Sequence, residues 1–260
     1  MTSKRPSNPA PATGDIATAA PEQPQSGMGE TVATIAWAVL LAVVIRIFIF
    51  EAFEIEGPSM EPTLYNHDRV VVAKFLYGIR IPVKNDAVLT WGLPNPGDVV
   101  ILTGPRDNVD IVKRVIGLPG DHIEVRRDGV YRNGKAIARH SEPCREEAYR
   151  LCNDEVYRQR TCSPRCDWVE EQVGSHIYRT SHSSYEDGQE AGFEAPLADV
   201  MVPQGQIFVM GDHRDESNDS RFFGPVSATR LKGRALFVYW SGGWPWESSF
   251  RWPRIGKGID

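Results

Sequence analysis

The sequence predicts a mainly β protein, mostly antiparallel, preceded by one N-terminal transmembrane helix. From residue 52 onward, short apolar runs are separated by Gly and Pro turns, which is typical of antiparallel sheets. Before them, residues 31–50 read TVATIAWAVLLAVVIRIFIF, with Arg46 as the single charge. At roughly 1.5 Å per residue, a helix of this length reaches about 30 Å, enough to cross a bilayer.

Composition divides the chain into three segments. Residues 1–29 form a polar tail for which we expect disorder, residues 30–51 the transmembrane anchor, and residues 52–260 the β domain. No small-x-small site follows the apolar run, which favours an uncleaved anchor over a signal peptide. A buried core helix is the other alternative. Lys4 and Arg5 precede the run and favour a cytoplasmic N-terminus, with the β domain on the outer side.

The β domain should contain a series of short strands. Phe53 and Ile55 alternate with two glutamates and open the first strand. We expect the next strands at 69–75, 98–102, 110–116, 207–210 and 235–240. Residues 122–137 predict a hairpin that turns at Asp128-Gly129, with a second turn at Asn133-Gly134.

The stretch of about 139–203 differs from the rest, because it is polar and shows little periodicity. We interpret it as an insertion or cap on the β core. It contains all four cysteines of the chain: Cys144, Cys152, Cys162 and Cys166. Clustered cysteines in a chain that leaves a membrane predict two disulfides, with three pairings open. Zinc bound with His140 or His176 is the alternative, but the spacing does not match paired C-x2-C motifs, so we expect no metal.

Charge limits the possible partners. The formal net charge of -5 argues against a nucleic-acid-binding surface, which usually needs a basic face. Nothing in the sequence indicates a cofactor, and we expect a monomer.

The segment EIEGPSMEPTL places Ser59 in a Gly-Pro turn just after the apolar run. A serine hydroxyl is a weak nucleophile unless a base lies nearby. A histidine could serve, as His213 with Asp215 or His67 with Asp68. An S-x-x-K arrangement is excluded because Pro62 follows three residues later.

A lysine on another strand is the third possibility. Lys113 lies within DIVKRVIGLPGD, where apolar neighbours would desolvate its amine. Desolvation lowers the pKa of a lysine and leaves a neutral amine that can act as a general base. The alternative is a lysine that points out of an alternating strand into water.

Four blocks together resemble the bacterial type I signal peptidases, also called leader peptidases. They are GPSMEPTL (57–64), NPGDVVIL (95–102), VKRVIGLPGD (112–121) and GDHRDESNDSRFFGPV (211–226). The resemblance covers roughly 52–125 and 205–240, and it omits the tail and the cysteine-bearing insertion. It implies a membrane-bound serine endopeptidase that removes signal peptides from exported preproteins after Ala-x-Ala-like sites.

By this resemblance, Ser59 is the nucleophile, Lys113 is the general base, and Ser217 hydrogen-bonds and orients the lysine amine. A supporting charge network would be built from Arg114, Asp212, Asp219 and Arg221. The backbone N–H of Ser59 would donate to the oxyanion. Some relatives add a hydroxyl two residues before the nucleophile, but this chain has Gly57 there, so the second donor stays open.

Substrate specificity is expected from apolar side chains near the nucleophile. The positions that match the family's substrate pockets are Phe53, Ile55, Leu64, Ile111 and Val112. Bulky side chains around shallow pockets would admit only Ala-sized groups, and the substrate would bind as an added strand. Plain core packing is the alternative for Phe53 and Ile55.

The resemblance also implies a location and partners: the bacterial inner membrane, the lipid bilayer and signal-peptide-bearing preproteins. The Trp-rich segment GGWPWESSFRWP near the C-terminus could contact the membrane interface or pack on the β core. Two other functions remain open. One is a Ser-Lys peptidase dedicated to a conjugation or pilin substrate, and the other is a catalytically inert anchored β module.

Overall fold

The computed structural model describes residues 28–79, 86–143, 166–183 and 198–259. The chain forms two compact units, 1–41 and 42–260. Helix α1 (Met28–Phe48) has 21 residues, and residues 29–43 are all exposed. Within the described part of the chain, no helix is both long enough and apolar enough to span a membrane.

The second unit is mainly β, as the sequence predicts, and all its paired strands are antiparallel in the described ranges. The strands are β1 (Phe50–Glu54), β2 (Asp68–Ala73), β3 (Gly78–Ile79), β4 (Leu89–Thr90), β5 (Val99–Thr103), β6 (Asp110–Gly117), β7 (His122–Arg126), β8 (Gly129–Arg132), β9 (Lys135–Ala136), β10 (Ala138–Pro143), β11 (Cys166–Val173), β12 (His176–Ser183), β13 (Ala198–Met201), β14 (Gln206–Met210), β15 (Val226–Ser227) and β16 (Leu231–Ser241). The short helices are α2 (Ser220–Phe223) and two 3-10 turns, Ala228–Arg230 and Trp252–Arg254.

Four sheets organise these strands. The largest has seven, in the order β1-β2-β16-β5-β6-β14-β15, and a four-stranded sheet runs β13-β7-β8-β9. Strands β10, β11 and β12 form a third sheet, and β3 pairs with β4. The predicted turn at Asn133-Gly134 joins β8 to β9, and both residues have the positive φ that such a turn requires (53° and 75°).

The insertion of about 139–203 contributes to the core. Val173 on β11 and Tyr178 on β12 are buried in one cluster with Ile116, Phe208 and Met210 of the large sheet. This part of the insertion is therefore packed by apolar contacts. Cys144, Cys152 and Cys162 lie outside the described residues, and Cys166 begins β11, so their pairing stays a prediction.

Two features of the large sheet position the candidate site. The loop of residues 55–67, here called the nucleophile loop, joins β1 to β2 and buries Met60 and Leu64 in the core. Strand β6 lies between β5 and β14, but β14 pairs only with its second half, from Arg114 to Gly117. The first half of β6, which ends at Lys113, therefore has an edge that no described strand occupies.

Candidate active site

Ser59 and Lys113 meet at the centre of the candidate site. Lys113 Nζ lies 2.9 Å from Ser59 Oγ. The same nitrogen donates a hydrogen bond to the carbonyl oxygen of Val112 at 2.8 Å. A neutral amine held by one N–H in this way can direct its lone pair at the serine hydroxyl.

Burial prepares Lys113 for that role. Lys113 is only 4% exposed, and desolvation lowers the pKa of its amine to about 8. The carboxylates of Asp219 and Asp212 work in the opposite direction and keep the pKa from falling further, while Arg221 lowers it slightly. A substantial fraction of the amine is therefore neutral just above neutral pH.

The histidines proposed from the sequence as alternative bases have other partners. His67 is exposed, and its Nδ1 lies 3.1 Å from Oε1 of Glu54. His213 is half-buried, and its ring is hydrogen-bonded to the backbone of Pro58. Neither ring is hydrogen-bonded to Ser59 Oγ.

Ser217 lies beside this pair but does not complete it. Its hydroxyl is buried and has no hydrogen-bond partner among the described residues. A Cβ added to Gly211 would come within 2.2 Å of Ser217 Oγ and 2.4 Å of the carbonyl oxygen of Ser59. Gly211 therefore allows the backbone of Ser59 and the side chain of Ser217 to approach each other closely.

Arg114 and Asp212 form a fully buried, bidentate ion pair behind the loop. The Nε and Nη2 atoms of Arg114 donate to the two carboxylate oxygens at 2.8 and 2.7 Å. Arg114 also donates to the carbonyl oxygen of Gly97 at 2.7 Å, and its guanidinium lies 3.8 Å from the ring centre of Tyr178. Thr63 of the nucleophile loop joins the pair, because its hydroxyl donates to Asp212 at 2.5 Å.

Asp219 and Arg221 form a second buried pair on the chain that carries Ser217. The Nε and Nη2 atoms of Arg221 each lie 2.8 Å from an oxygen of Asp219. Asp219 also accepts from the backbone N–H of Gly211 at 2.9 Å, and it caps the N-terminus of α2. Arg221 donates to the carbonyl oxygen of Arg214 at 2.6 Å, which fixes the turn that leads to Ser217.

The turn 57–59 contains the backbone N–H of Ser59, which the sequence predicts to be an oxyanion donor. The backbone N–H of Gly57 is occupied, since it donates to Oδ1 of Asn66 at 2.8 Å. Gly57 has φ 87°, which favours glycine, and a Cβ there would meet nothing within 4 Å. The space that a Ser or Thr side chain would fill is thus open, and no side chain at this position supplies a second donor.

The five proposed pocket residues are not all together. Ile55 and Leu64 are fully buried in one core cluster, against which Phe53 and Val112 are partly buried. Ile111 packs against a different cluster, with Val100 and Val115. Phe53, Ile111 and Val112 are only partly buried, so these three members of the set keep surface that a substrate can contact.

Four contributors to the site are absent from the sequence-based interpretation. Glu171 and Tyr178 of the insertion contact the buried arginines: Arg214 pairs with Glu171, which also accepts from the hydroxyl of Tyr178 at 3.1 Å. Arg214 stands in the matched block GDHRDES, which is the signal that could have identified it. The fourth contributor is Thr63, which stands in the matched block SMEPTL.

Comparison with known proteins identifies the family of this chain. The family model described as "Signal peptidase, peptidase S26" matches residues 28–240. A signal peptidase I from Pseudomonas fluorescens is 34% identical over 219 residues, which cover 80% of this chain and 70% of that protein. A signal peptidase I from Bacillus licheniformis is 33% identical over 216 residues, covering 83% of this chain and 90% of that protein.

A serine hydroxyl hydrogen-bonded to a buried amine is the arrangement of a serine hydrolase, and this chain is a serine peptidase. More narrowly, the match over residues 28–240 shows that it belongs to the signal peptidase family, peptidase S26.

Proposed function

We propose that this protein removes signal peptides from exported preproteins, with Ser59 as nucleophile and Lys113 as general base. The observation that carries the proposal is the 2.9 Å distance between Ser59 Oγ and the buried Nζ of Lys113. The family relationship gives the substrate class, because the relatives in Pseudomonas and Bacillus are signal peptidases.

The mechanism follows from this geometry. Ser59 Oγ attacks the scissile carbonyl while the neutral Lys113 amine takes the hydroxyl proton. The resulting ammonium returns the proton to the leaving amine, and an ester between Ser59 and the signal peptide remains. Lys113 then removes a proton from a water molecule, which hydrolyses the ester and restores the serine. The N–H of Ser59 donates to no described residue and is available to the oxyanion in both steps.

The substrate would bind extended beside β6. The edge of β6 from Asp110 to Lys113 is open opposite β5, so a peptide strand there would pass Ser59. Phe53 and Val112 would limit the pockets to small side chains, which fits cleavage after Ala-x-Ala-like motifs. Ser217 would complete the site by rotating its unpaired hydroxyl toward the Lys113 amine.

We also propose that residues 30–51 anchor the enzyme in the bacterial inner membrane, with the N-terminus cytoplasmic and the catalytic domain outside. The apolar sequence of 31–50 supports this proposal. The nucleophile follows that run by nine residues, which suits a cleavage site just beyond a signal peptide's apolar segment.

The test is cleavage of a preprotein with an Ala-x-Ala site by the full chain and two variants. Ser59→Ala and Lys113→Met should each reduce cleavage by at least about 10³-fold while the circular dichroism spectrum is unchanged, because nucleophile and base act as a unit. Thr90→Ala, on the separate β3–β4 sheet, is the control and should cleave normally. Normal turnover by either active-site variant in a folded state would exclude the proposed pair.

A further inference from the structure

The C-terminal segment 242–259 lies beyond the region matched by the family model, which ends at residue 240. It turns back along β16, where the N–H of Gly256 donates to the carbonyl oxygen of Val238 at 2.8 Å. Ile259 is buried in the same cluster as Met60 and Leu64 of the nucleophile loop. The end of the chain and the loop that carries Ser59 therefore share one core.

Arg254 connects this segment to the loop directly. It is 7% exposed, and its Nη2 donates to the carbonyl oxygen of Thr63 at 2.9 Å. Its Nε lies 3.0 and 3.1 Å from the two oxygens of the buried Asp68 carboxylate. Asp68 also accepts from Ser241 Oγ at 2.5 Å and from the N–H of Tyr65 at 2.9 Å, so Arg254 is held in one orientation.

Thr63 is consequently fixed on both sides. Its hydroxyl is bound by Asp212 of the buried charge network, and its carbonyl is bound by Arg254 of the C-terminal segment. Thr63 lies four residues after Ser59, and the intervening Met60 is buried. A shift of Thr63 would therefore move the chain that carries the nucleophile.

Arg251 makes a second connection on the other side of the loop. Its Nη1 donates to the carbonyl oxygen of Asn66 at 3.0 Å, and the Asn66 side chain accepts from the N–H of Gly57 at 2.8 Å. Gly57 has a positive φ, and it lies two residues before Ser59. The contact through Asn66 thus reaches the turn that sets the direction of the Ser59 side chain.

We propose that Arg251 and Arg254 are positioning residues: they clamp the nucleophile loop so that Ser59 Oγ stays within reach of Lys113 Nζ. The clamp rests on the proposed function, in that Ser59 is taken as the reacting group. Small displacements of a reacting atom are costly in rate, because about 1 Å of misplacement can reduce turnover roughly 10²-fold. Substrate contacts lie elsewhere, so binding should be spared.

The test compares Arg254→Lys and Arg251→Ala in the full chain, with steady-state kinetics on a precursor peptide. Lysine keeps the charge opposite Asp68 but cannot reproduce the planar set of bonds to Asp68 and Thr63. We expect kcat to fall about tenfold in Arg254→Lys and less in Arg251→Ala, with KM unchanged, since only the reacting geometry is loosened. The pH at which half-maximal kcat/KM is reached should not move, because the surroundings of Lys113 are intact.

Arg230→Ala is the matched control. Arg230 also donates to a backbone carbonyl, that of Gly104 at 2.8 Å, but in a loop that does not carry the nucleophile. It should keep the kcat of the unmodified enzyme.

Unchanged kcat in a folded Arg254→Lys variant, or a rise in KM alone, would overturn the clamp. If that variant does not fold, Arg251→Ala decides, because the buried Asp68 carboxylate, 3.6 Å from Arg251 Nη1, keeps its ion pair with Arg254 when Arg251 is removed. Unchanged kcat in Arg251→Ala would then overturn the proposal. Failure of the unmodified chain to cleave would instead refute the proposed function.

Discussion

Lys113 illustrates how one buried side chain sets the chemistry of the site. In water its amine would be almost fully protonated at neutral pH, and a protonated amine cannot accept the serine proton. Burial removes most of the solvation that stabilises the charge, while Asp219 and Asp212 limit the effect. The outcome is a pKa of about 8, which leaves the base active in mildly alkaline conditions.

This pKa predicts the pH dependence of the enzyme. Only the neutral amine is a base, so kcat/KM should rise with pH through about 8 and level off above it. The two half-buried histidines do not contribute, since desolvation lowers the pKa of His182 to about 3 and that of His213 to about 4. A profile measured from pH 5 to 10 on the precursor peptide checks this.

The control for that profile is His67→Ala, which removes an exposed histidine hydrogen-bonded to Glu54. It should leave the profile unchanged. A profile that changes in this variant would show that a histidine, and not Lys113, governs the ionisation.

At the level of secondary structure, the β11–β12 hairpin supports the site from behind. Glu171 is buried against Arg214, whereas its neighbour Glu170 is partly exposed and lies 3.6 Å from Arg139. Glu171→Gln should lower the free energy of unfolding by about 3 kcal/mol, because it leaves the buried Arg214 charge without its partner. Urea denaturation followed by fluorescence measures this.

Glu170→Gln is the paired control and should change the free energy of unfolding by less than about 1 kcal/mol, as expected for an exposed ion pair. Equal effects of the two substitutions would mean that the Glu171–Arg214 pair does not stabilise the fold.

The elements also differ in how well the sequence predicts them. Strands such as β5, β6 and β14 are apolar runs between turns, and their predicted bounds agree with the structure to within two residues. The sequence does not predict strands β11 and β12, because Glu171 and Thr180 are polar residues at buried positions. They interrupt the alternation of apolar and polar residues that marks a strand. The buried Glu171 is paired with Arg214, which lies 43 residues away in sequence, and a local sequence pattern cannot predict such a contact.

The candidate site likewise contains residues that the sequence predicts and contacts that it does not predict. Ser59 and Lys113 stand in dense local motifs, so resemblance identifies them before any distance is known. The clamp by Arg254 and the contact of Tyr178 with Arg114 depend on the meeting of distant segments. The sequence likewise could not show that Ile55 and Leu64 are wholly buried while Phe53 keeps an accessible face.

On the scale of the whole molecule, an aromatic surface adjoins the nucleophile loop. We call it the C-terminal aromatic patch, and its members are Trp240, Trp244, Trp246, Phe250 and Trp252. Trp244 and Trp246 stack with ring centres 5.3 Å apart and are 58% and 79% exposed. Gly242 lies between Trp240 and Trp244 of the patch, and its N–H donates to the carbonyl oxygen of His67 at the end of the loop.

Exposed tryptophans favour the boundary between lipid and water, where the ring is buried and the indole N–H stays hydrated. If this patch contacts the bilayer, it would hold the nucleophile loop close to substrates that are themselves embedded in lipid. A Trp244→Ala/Trp246→Ala variant should then cleave a preprotein reconstituted in vesicles about fivefold more slowly, equivalent to roughly 1 kcal/mol of lost interfacial binding.

Cleavage of a soluble precursor peptide by the same variant should be unchanged, and Met201→Ser, on β13 of a different sheet, should affect neither substrate. Equal slowing of both substrates by the double variant would show that the patch acts on the site itself, and no slowing of either would show that lipid contact is made elsewhere.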